Sequence, residues 1–239
     1  MKRYIVVIDP GHGGTDPGAV GPTGLKENHV AWRIACMVAD ILMRYGIEVI
    51  FTRVGDEKIS LDKRVQIANK SKADFFISIH INSASNPLAT GTEVFAYSKA
   101  SEGNKLAGTI LDSLLKEINL KNRGIKYDRL QVVATTKIPA CLVEVAFINN
   151  PTEEQLLKQD EFLEKAAVGI AKGILNHIGI DYMSKEDKSM SWEEKQGLEH
   201  LENLVKKKII DSPDYWKDRL LEPMPTWAVF ALIDRITDK

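Results

Sequence analysis

Two histidines and a glutamate fall at or near the ends of predicted strands, where side chains of these types could form a functional site. His12 follows the first apolar run of the chain, and His80 closes a later one. Glu144 lies within a third apolar run. In open α/β sheets, ligands bind beyond the carboxyl ends of the strands. Because two histidines and one carboxylate, with a fourth position open to water, form a catalytic zinc site, the pattern indicates metal chemistry.

The third ligand has to be a carboxylate that the chain brings near His12. Glu27 opens the first predicted helix and lies close in sequence to the His12 loop, so it is the best candidate. Asp9 and Asp16 are weaker alternatives, and Asp9 is better suited to fixing the turn or orienting a ligand from behind. His29 is two residues from Glu27 and would face elsewhere on a helix.

Glu144 stands out because an ionised carboxylate among aliphatic side chains is costly to bury unless it is paired or close to a metal ion. One interpretation is a structural ion pair with an arginine such as Arg53 or Arg64. The other is that the carboxylate faces a functional site. The sequence alone leaves both open.

The glycine-rich segment at residues 11–14 could instead bind a phosphate group. A dinucleotide-binding fingerprint would need glycine or alanine where Asp16 stands, and no Gly-Lys-Ser/Thr follows. A nucleotide-binding α/β protein is therefore a weak alternative. The glycines instead favour a tight turn of the chain that presents His12.

Strand and helix patterns alternate through the first three quarters of the chain, which predicts an α/β fold with a mostly parallel twisted sheet flanked by helices. Apolar β-branched runs predict strands, and apolar residues spaced three to four apart predict helices. Thr152 has the spacing of a capping box and should begin a long helix. The predicted strands are 5–8, 49–51, 75–80, 93–96 and 142–148, and the apolar positions of the predicted helices span 30–45, 60–68, 106–118 and 152–178.

Composition changes near residue 184. Residues 184–239 carry 10 Lys/Arg, 12 Asp/Glu and three of the four tryptophans. We therefore predict an α/β domain at 1–180, a linker at 181–190 and a small all-helical domain at 191–239. The net charge of −1 argues against general electrostatic binding to nucleic acid or an anionic bilayer.

The two cysteines, Cys36 and Cys141, belong to no CxxC or Cys/His cluster, which excludes a disulfide scaffold and disfavours a thiolate zinc site. The first apolar run is too short for a secretory signal, and no run approaches the length of a membrane span. The sequence predicts synthesis in the cytoplasm without a signal peptide and no membrane insertion.

Six separated motifs, taken together and in order, resemble the zinc-dependent N-acetylmuramoyl-L-alanine amidases of the Amidase_3 type. The resemblance covers roughly residues 3–178. The motifs are residues 9–19, 25–28, 52–53, 60–64 with 68–69, 78–82 and 142–149.

This resemblance implies that His12, Glu27 and His80 are zinc ligands and that Glu144 is the catalytic carboxylate. Asn82 is a further candidate for substrate binding. The implied substrate is bacterial peptidoglycan, in which a zinc-activated water would cut the amide bond between N-acetylmuramic acid and L-alanine and so lyse the wall. A zinc endopeptidase acting on the stem peptide and a non-catalytic wall-binding protein are the alternatives.

The layout of a signal-less amidase domain, a short linker and a small module also resembles phage endolysins. By that analogy, residues 191–239 would target the cell wall, and a homodimerisation module is the competing interpretation. The protein would then reach the wall after release, as a phage endolysin or during mother-cell lysis.

Overall fold

The computed structural model describes residues 3–183 and 201–207. The chain divides into two compact units, Met1–Tyr182 and Met183–Lys239, and each is described by itself. In the described part of the first unit, strands and helices alternate as the sequence predicts. The elements are β1 (Ile5–Pro10), α1 (Glu27–Arg44), β2 (Glu48–Phe51), α2 (Leu61–Lys70), β3 (Phe75–Asn82), β4 (Thr92–Ala96), α3 (Glu102–Ile118), β5 (Asn122–Tyr127), α4 (Gln131–Ala134), β6 (Ala140–Phe147), α5 (Pro151–Leu157) and α6 (Asp160–His177).

The strands form one six-stranded sheet in the order β2-β1-β3-β6-β4-β5. Strands β1, β2, β3 and β6 run parallel to one another, and β4 pairs antiparallel with β6. The edge strand β5 pairs parallel with β4. The predicted α/β class with a mostly parallel sheet is confirmed. The carboxyl ends of the parallel strands β1, β3 and β6 lie at the same end of the sheet.

The two faces of the sheet are covered unequally. Helices α1, α3 and α6 bury one face in the larger apolar core, while α2 and α4 cover the other with a smaller cluster. Side chains alternate between faces along a strand. Ile79 and Ile81 therefore belong to the larger core, whereas Phe76 and Leu142 belong to the smaller cluster. Polar residues at alternate positions further along these strands lie on the less covered face.

Local signals explain several element boundaries. Ser60 caps α2 by accepting a hydrogen bond from the backbone N–H of Lys63, as its sequence position indicates. The capping box predicted at Thr152 is wrong. Asn150 is the N-cap of α5, and its side chain accepts from the backbone N–H groups of Thr152 and Glu153 while Pro151 occupies the first helical position.

The single long helix predicted from residue 152 is instead two helices, because the chain leaves helical geometry at Gln159 before α6 begins. Strand β5 and the short helix α4 were not predicted from the sequence. Strand β5 is an edge strand whose residues are exposed or half-buried, so it lacks the apolar alternation that marks the central strands.

Helices α3 and α6 approach so closely that glycine is required at one contact. A β-carbon at Gly173 of α6 would lie 2.3 Å from the Ile110 Cα of α3. Gly173→Ala should therefore destabilise the protein by about 1–3 kcal/mol, despite the better helix propensity of alanine. Gly108 of α3 is the matched control, because its β-carbon would meet only the Ile125 Cδ1 at 3.8 Å.

Gly108→Ala should stabilise the protein by up to about 1 kcal/mol, since only the backbone propensity changes there. Urea unfolding of both variants measures the two free energies. A stabilised Gly173→Ala protein would contradict the close packing of α3 on α6.

In the second unit, residues 201–206 are helical, within the small all-helical domain that the sequence predicts at 191–239. The remainder of the predicted helical domain at 191–239, and most of the predicted linker at 181–190, lie outside the described residues. Both stay predictions. Across the described ranges, none of the helices combines the length and the apolar character needed to cross a membrane.

Candidate metal centre

Parallel pairing of β1, β3 and β6 places the predicted site residues together at the carboxyl end of these strands. His12 follows β1 by two residues, and the last residue of β1, Pro10, is in register with Ile79 of β3. His80 of β3 is in register with Glu144 of β6. Neighbours in register on adjacent strands share a face, so His80 and Glu144 stand side by side on the less covered face.

Glycines let the backbone approach the site closely. A β-carbon at Gly11 would lie 2.4 Å from the His80 ring, and one at Gly18 would lie 2.4 Å from Glu27 Oε2. Gly13 and Gly14 have positive φ, and His12 itself is held at φ 57° in the left-handed region. The expectation that this segment turns tightly to present His12 is confirmed.

His12, Glu27 and His80 converge, and one donor atom from each lies within 4.8 Å of the other two. Glu27 Oε1 is 2.9 Å from His80 Nδ1, and Glu27 Oε2 is 3.3 Å from His12 Nε2. Glu27 lies in the first turn of α1, where the backbone N–H groups of Ala19 and Ile81 also donate to its carboxylate. Two imidazoles and a carboxylate therefore form a possible metal-binding triad.

The charges of the triad are mutually dependent. Burial opposes ionisation of Glu27, but hydrogen bonds with His12 and His80 outweigh it and hold the pKa of Glu27 well below its ordinary range. Burial likewise opposes the charge on His12, yet Glu27 and Asp16 raise the pKa of this imidazole above its ordinary value. Protons and a metal cation would therefore compete for the same nitrogen atoms.

The weaker ligand candidates have other contacts. Asp16 Oδ2 is 2.9 Å from His12 Nδ1, an arrangement that orients the imidazole from behind. Asp9 is fully buried and accepts hydrogen bonds from Thr52, Arg64 and Ser78. Asp9 thus fixes the turn after β1 and lies outside the triad.

The ion pair considered for Glu144, with Arg53 or Arg64, is absent, because both arginines make hydrogen bonds to other groups. Arg64 pairs with Asp9 at 2.7 Å and also donates to the carbonyls of Pro10 and His12. Within the described part of the chain, Arg53 donates only to backbone carbonyls, those of Pro10, Gly11, Asn28 and Gly55. The interpretation of Glu144 as the partner of a buried arginine is therefore wrong.

Glu144 is instead a carboxylate whose inner oxygen has no hydrogen-bond partner among the described residues. The side chain is half-buried, and Oε2 is shielded from solvent and unpaired. Burial, together with the nearby carboxylates of Glu27 and Glu93, raises the pKa of Glu144 well above its ordinary value. A carboxyl group whose pKa is raised in this way is suited to accepting and donating protons.

Asn82, the predicted substrate-binding residue, contacts protein groups in this structure. Its side-chain amide donates to Glu93 Oε1 at 2.7 Å, and its carbonyl oxygen accepts from the backbone N–H of Ser83. The substrate role of Asn82 stays a prediction.

Glu93 was not predicted as a site residue, because it stands at the start of the predicted strand 93–96, before the apolar residues of that strand. It is in register with Glu144 across the antiparallel β4–β6 pair, and Arg123 donates to it. A polar residue at the start of a strand is common, so the sequence offers no signal that marks Glu93 as part of the site.

The raised pKa of Glu144 has a consequence for stability. Unfolding returns the carboxyl group to an ordinary pKa of about 4.3, so above that pH the unfolded state ionises first and the folded state loses relative stability as pH rises. Glu144→Gln should remove this loss. With chelator present, the Tm of Glu144→Gln should match the wild type near pH 4 and exceed it near pH 8.

Glu161→Gln is a control of opposite sign, because Lys165 lowers the pKa of this exposed carboxylate and stabilises its charged form. Its Tm difference from the wild type should be small and should not become more positive as pH rises. A Tm difference for Glu144→Gln that is flat between pH 4 and 8 would contradict the burial of the Glu144 carboxylate.

The fold and the site define an α/β protein with a two-histidine, one-carboxylate centre, and comparisons with known proteins identify its family. The family model for N-acetylmuramoyl-L-alanine amidase, Amidase_3, matches residues 6–176. The chain therefore belongs to this family, which is a family of hydrolases.

Individual relatives agree with this assignment. The chain is 35% identical over 220 residues to N-acetylmuramoyl-L-alanine amidase AmiA of Escherichia coli strain K12, with 73% of this chain and 76% of AmiA covered. It is 37% identical over 200 residues to the endolysin of Bacillus phage SPP1, with 78% and 73% covered. Among solved structures, AmiC2 of Nostoc punctiforme is 38% identical with a TM-score of 0.70, and the match covers 73% of this chain and 97% of that chain.

Proposed function

We propose that this protein is a zinc-dependent amidase that hydrolyses the bond between N-acetylmuramic acid and L-alanine in bacterial peptidoglycan. The observation that carries the proposal is the convergence of His12, Glu27 and His80 beside the unpaired carboxylate of Glu144. Family membership supports the reaction class. The site of action would be the bacterial cell wall, and one relative is a phage endolysin.

The donor set fits zinc. Two neutral imidazoles and one carboxylate are ligands that catalytic zinc accepts, and three protein ligands leave a position for substrate or water. His12, Glu27 and His80 would hold the ion, while Asp16 fixes the orientation of the His12 ring. When bound, zinc polarises the substrate carbonyl and lowers the pKa of water.

Glu144 would provide the proton transfers that hydrolysis of an amide requires. Its carboxylate takes one proton from the attacking water as the water oxygen bonds to the carbonyl carbon. The same proton then passes to the leaving nitrogen of L-alanine as the C–N bond breaks, which returns Glu144 to its starting state. Since Oε2 accepts no hydrogen bond from the described residues, the base is free to accept the proton.

Product analysis tests this function. Purified peptidoglycan incubated with the zinc-loaded protein should release stem peptides with a new N-terminal alanine and leave glycan strands that carry none. An endopeptidase would instead expose other N-terminal residues and leave part of each stem on the glycan. Glycan that retains its stems after exhaustive digestion would contradict the proposal.

A further inference from the structure

Arg123 places a guanidinium group at the same end of the sheet as the candidate metal centre. Its strand, β5, pairs with β4, and Asn122 is in register with Thr92. The next residue of β4, Glu93, is in register with Glu144 of β6. Arg123 therefore emerges two strands away from Glu144 and at the same end of the sheet.

The side chain of Arg123 is fixed and crosses β4 towards β6. Its Nε donates to Glu93 Oε2 at 2.8 Å. The guanidinium carbon lies 4.7 Å from the ring centroid of Phe147, a residue of β6. An ion pair and a cation–π contact together pre-organise the guanidinium, so little side-chain entropy would be lost when it binds a ligand.

The outer edge of this guanidinium retains hydrogen-bonding capacity. Nη1 makes one long contact, 3.4 Å to the carbonyl of Thr90, and Nη2 has no partner among the described residues. The side chain is 31% exposed. Two adjacent nitrogens with available N–H groups match the two oxygens of a carboxylate.

The acidic groups around Arg123 explain why a carboxylate ligand would need a cationic partner here. Glu27 and Glu93 are acidic groups close to Glu144 at this end of the sheet, and they would repel an anionic ligand. The buried arginines Arg53 and Arg64 donate to backbone carbonyls and to Asp9, so they are committed to structure.

We propose that Arg123 binds a free carboxylate of the peptidoglycan stem peptide and selects stems that carry this charge over amidated stems. The identity of the ligand rests on the proposed function. The pre-organised position, the available donors and the acidic surroundings of Arg123 support the assignment.

Binding of two muramyl dipeptides tests the assignment. Their second residue carries either a free α-carboxylate or the corresponding carboxamide, and every other carboxyl group of the peptide is amidated in both. The full chain with Glu144→Gln is used, so that turnover is blocked, and calorimetry measures both dissociation constants. This protein should bind the acid about tenfold more tightly than the amide, because the acid forms charge-assisted hydrogen bonds.

Adding Arg123→Met should bring the ratio of dissociation constants close to 1. Arg123→Lys keeps a cation beside Glu93 but lacks the planar fork, so its ratio should lie between the two. Lys126→Met removes an exposed cation from the same strand and should leave the ratio unchanged.

Equal affinity for acid and amide in the Glu144→Gln protein would overturn the assignment without reliance on any arginine variant. An acid preference that persists in Arg123→Met would overturn it as well. The measurement requires no hydrolysis, so an Arg123-dependent preference in a protein that fails the product analysis would support this assignment and contradict the proposed function.

Discussion

Glu144→Gln is expected to lower kcat/KM for peptidoglycan fragments by about 10²–10⁴-fold, the usual contribution of a general acid–base group. Glutamine keeps the size of the side chain but cannot accept the proton of water or return it to the leaving nitrogen. The fold should persist, because Oε2 of Glu144 makes no hydrogen bond to the described residues that the substitution would break. Release of N-terminal alanine over time measures the rate, and metal analysis of the same sample shows that zinc is retained.

Glu154→Gln is the matched control for this substitution. Glu154 is fully buried and also has an unpaired Oε2, but its Oε1 accepts from the backbone N–H and hydroxyl of Thr23. It therefore tests the loss of a buried carboxylate outside the centre, and its kcat/KM should stay close to that of the wild type. Rates for Glu144→Gln within a few-fold of the wild type would remove Glu144 from the catalytic role.

His80→Ala is expected to abolish stable zinc binding and to lower hydrolysis at least about a hundredfold. Loss of an outer-shell partner alone typically costs 10–100-fold, so loss of a ligand should cost more. His80 contacts the Glu27 carboxylate directly and packs against Gly11, so the remaining two donors would lose a neighbour that positions them. Zinc per chain after dialysis, measured by emission spectrometry, checks the prediction.

His29→Ala provides the control, because His29 lies two residues from Glu27 on the same helix without joining the triad. Its side chain is 57% exposed and lies 3.9 Å from Asp56. This variant should retain one zinc per chain and hydrolyse normally. Wild-type zinc content in a folded His80→Ala protein, with folding checked by circular dichroism, would exclude His80 as a ligand.

The central strands and the triad were predictable because their signals are local or strong. β-Branched apolar runs predicted β1, β3 and β6, and the chemistry of His12 and His80 at strand ends indicated a metal site. Glu27 was predictable as the third member because the helix that carries it begins soon after the His12 loop.

Other features depend on pairing between distant segments, which the sequence does not display. Arg64 pairs with Asp9 and therefore does not pair with Glu144. The contact between Arg64 and Asp9 joins residues that are 55 apart in the chain. The antiparallel register that sets Glu93 opposite Glu144 is equally non-local. Strand β5 lacked a periodic signal because an exposed edge strand needs no apolar face.

Zinc titration of the metal-free full-length protein tests the central claim most directly. Hydrolysis of the bond between N-acetylmuramic acid and L-alanine should be absent in excess chelator. As zinc is added, hydrolysis should rise linearly and reach a plateau at about one ion per chain, as a single three-ligand site implies. Full hydrolysis in excess chelator would contradict a zinc-dependent centre formed by His12, Glu27 and His80.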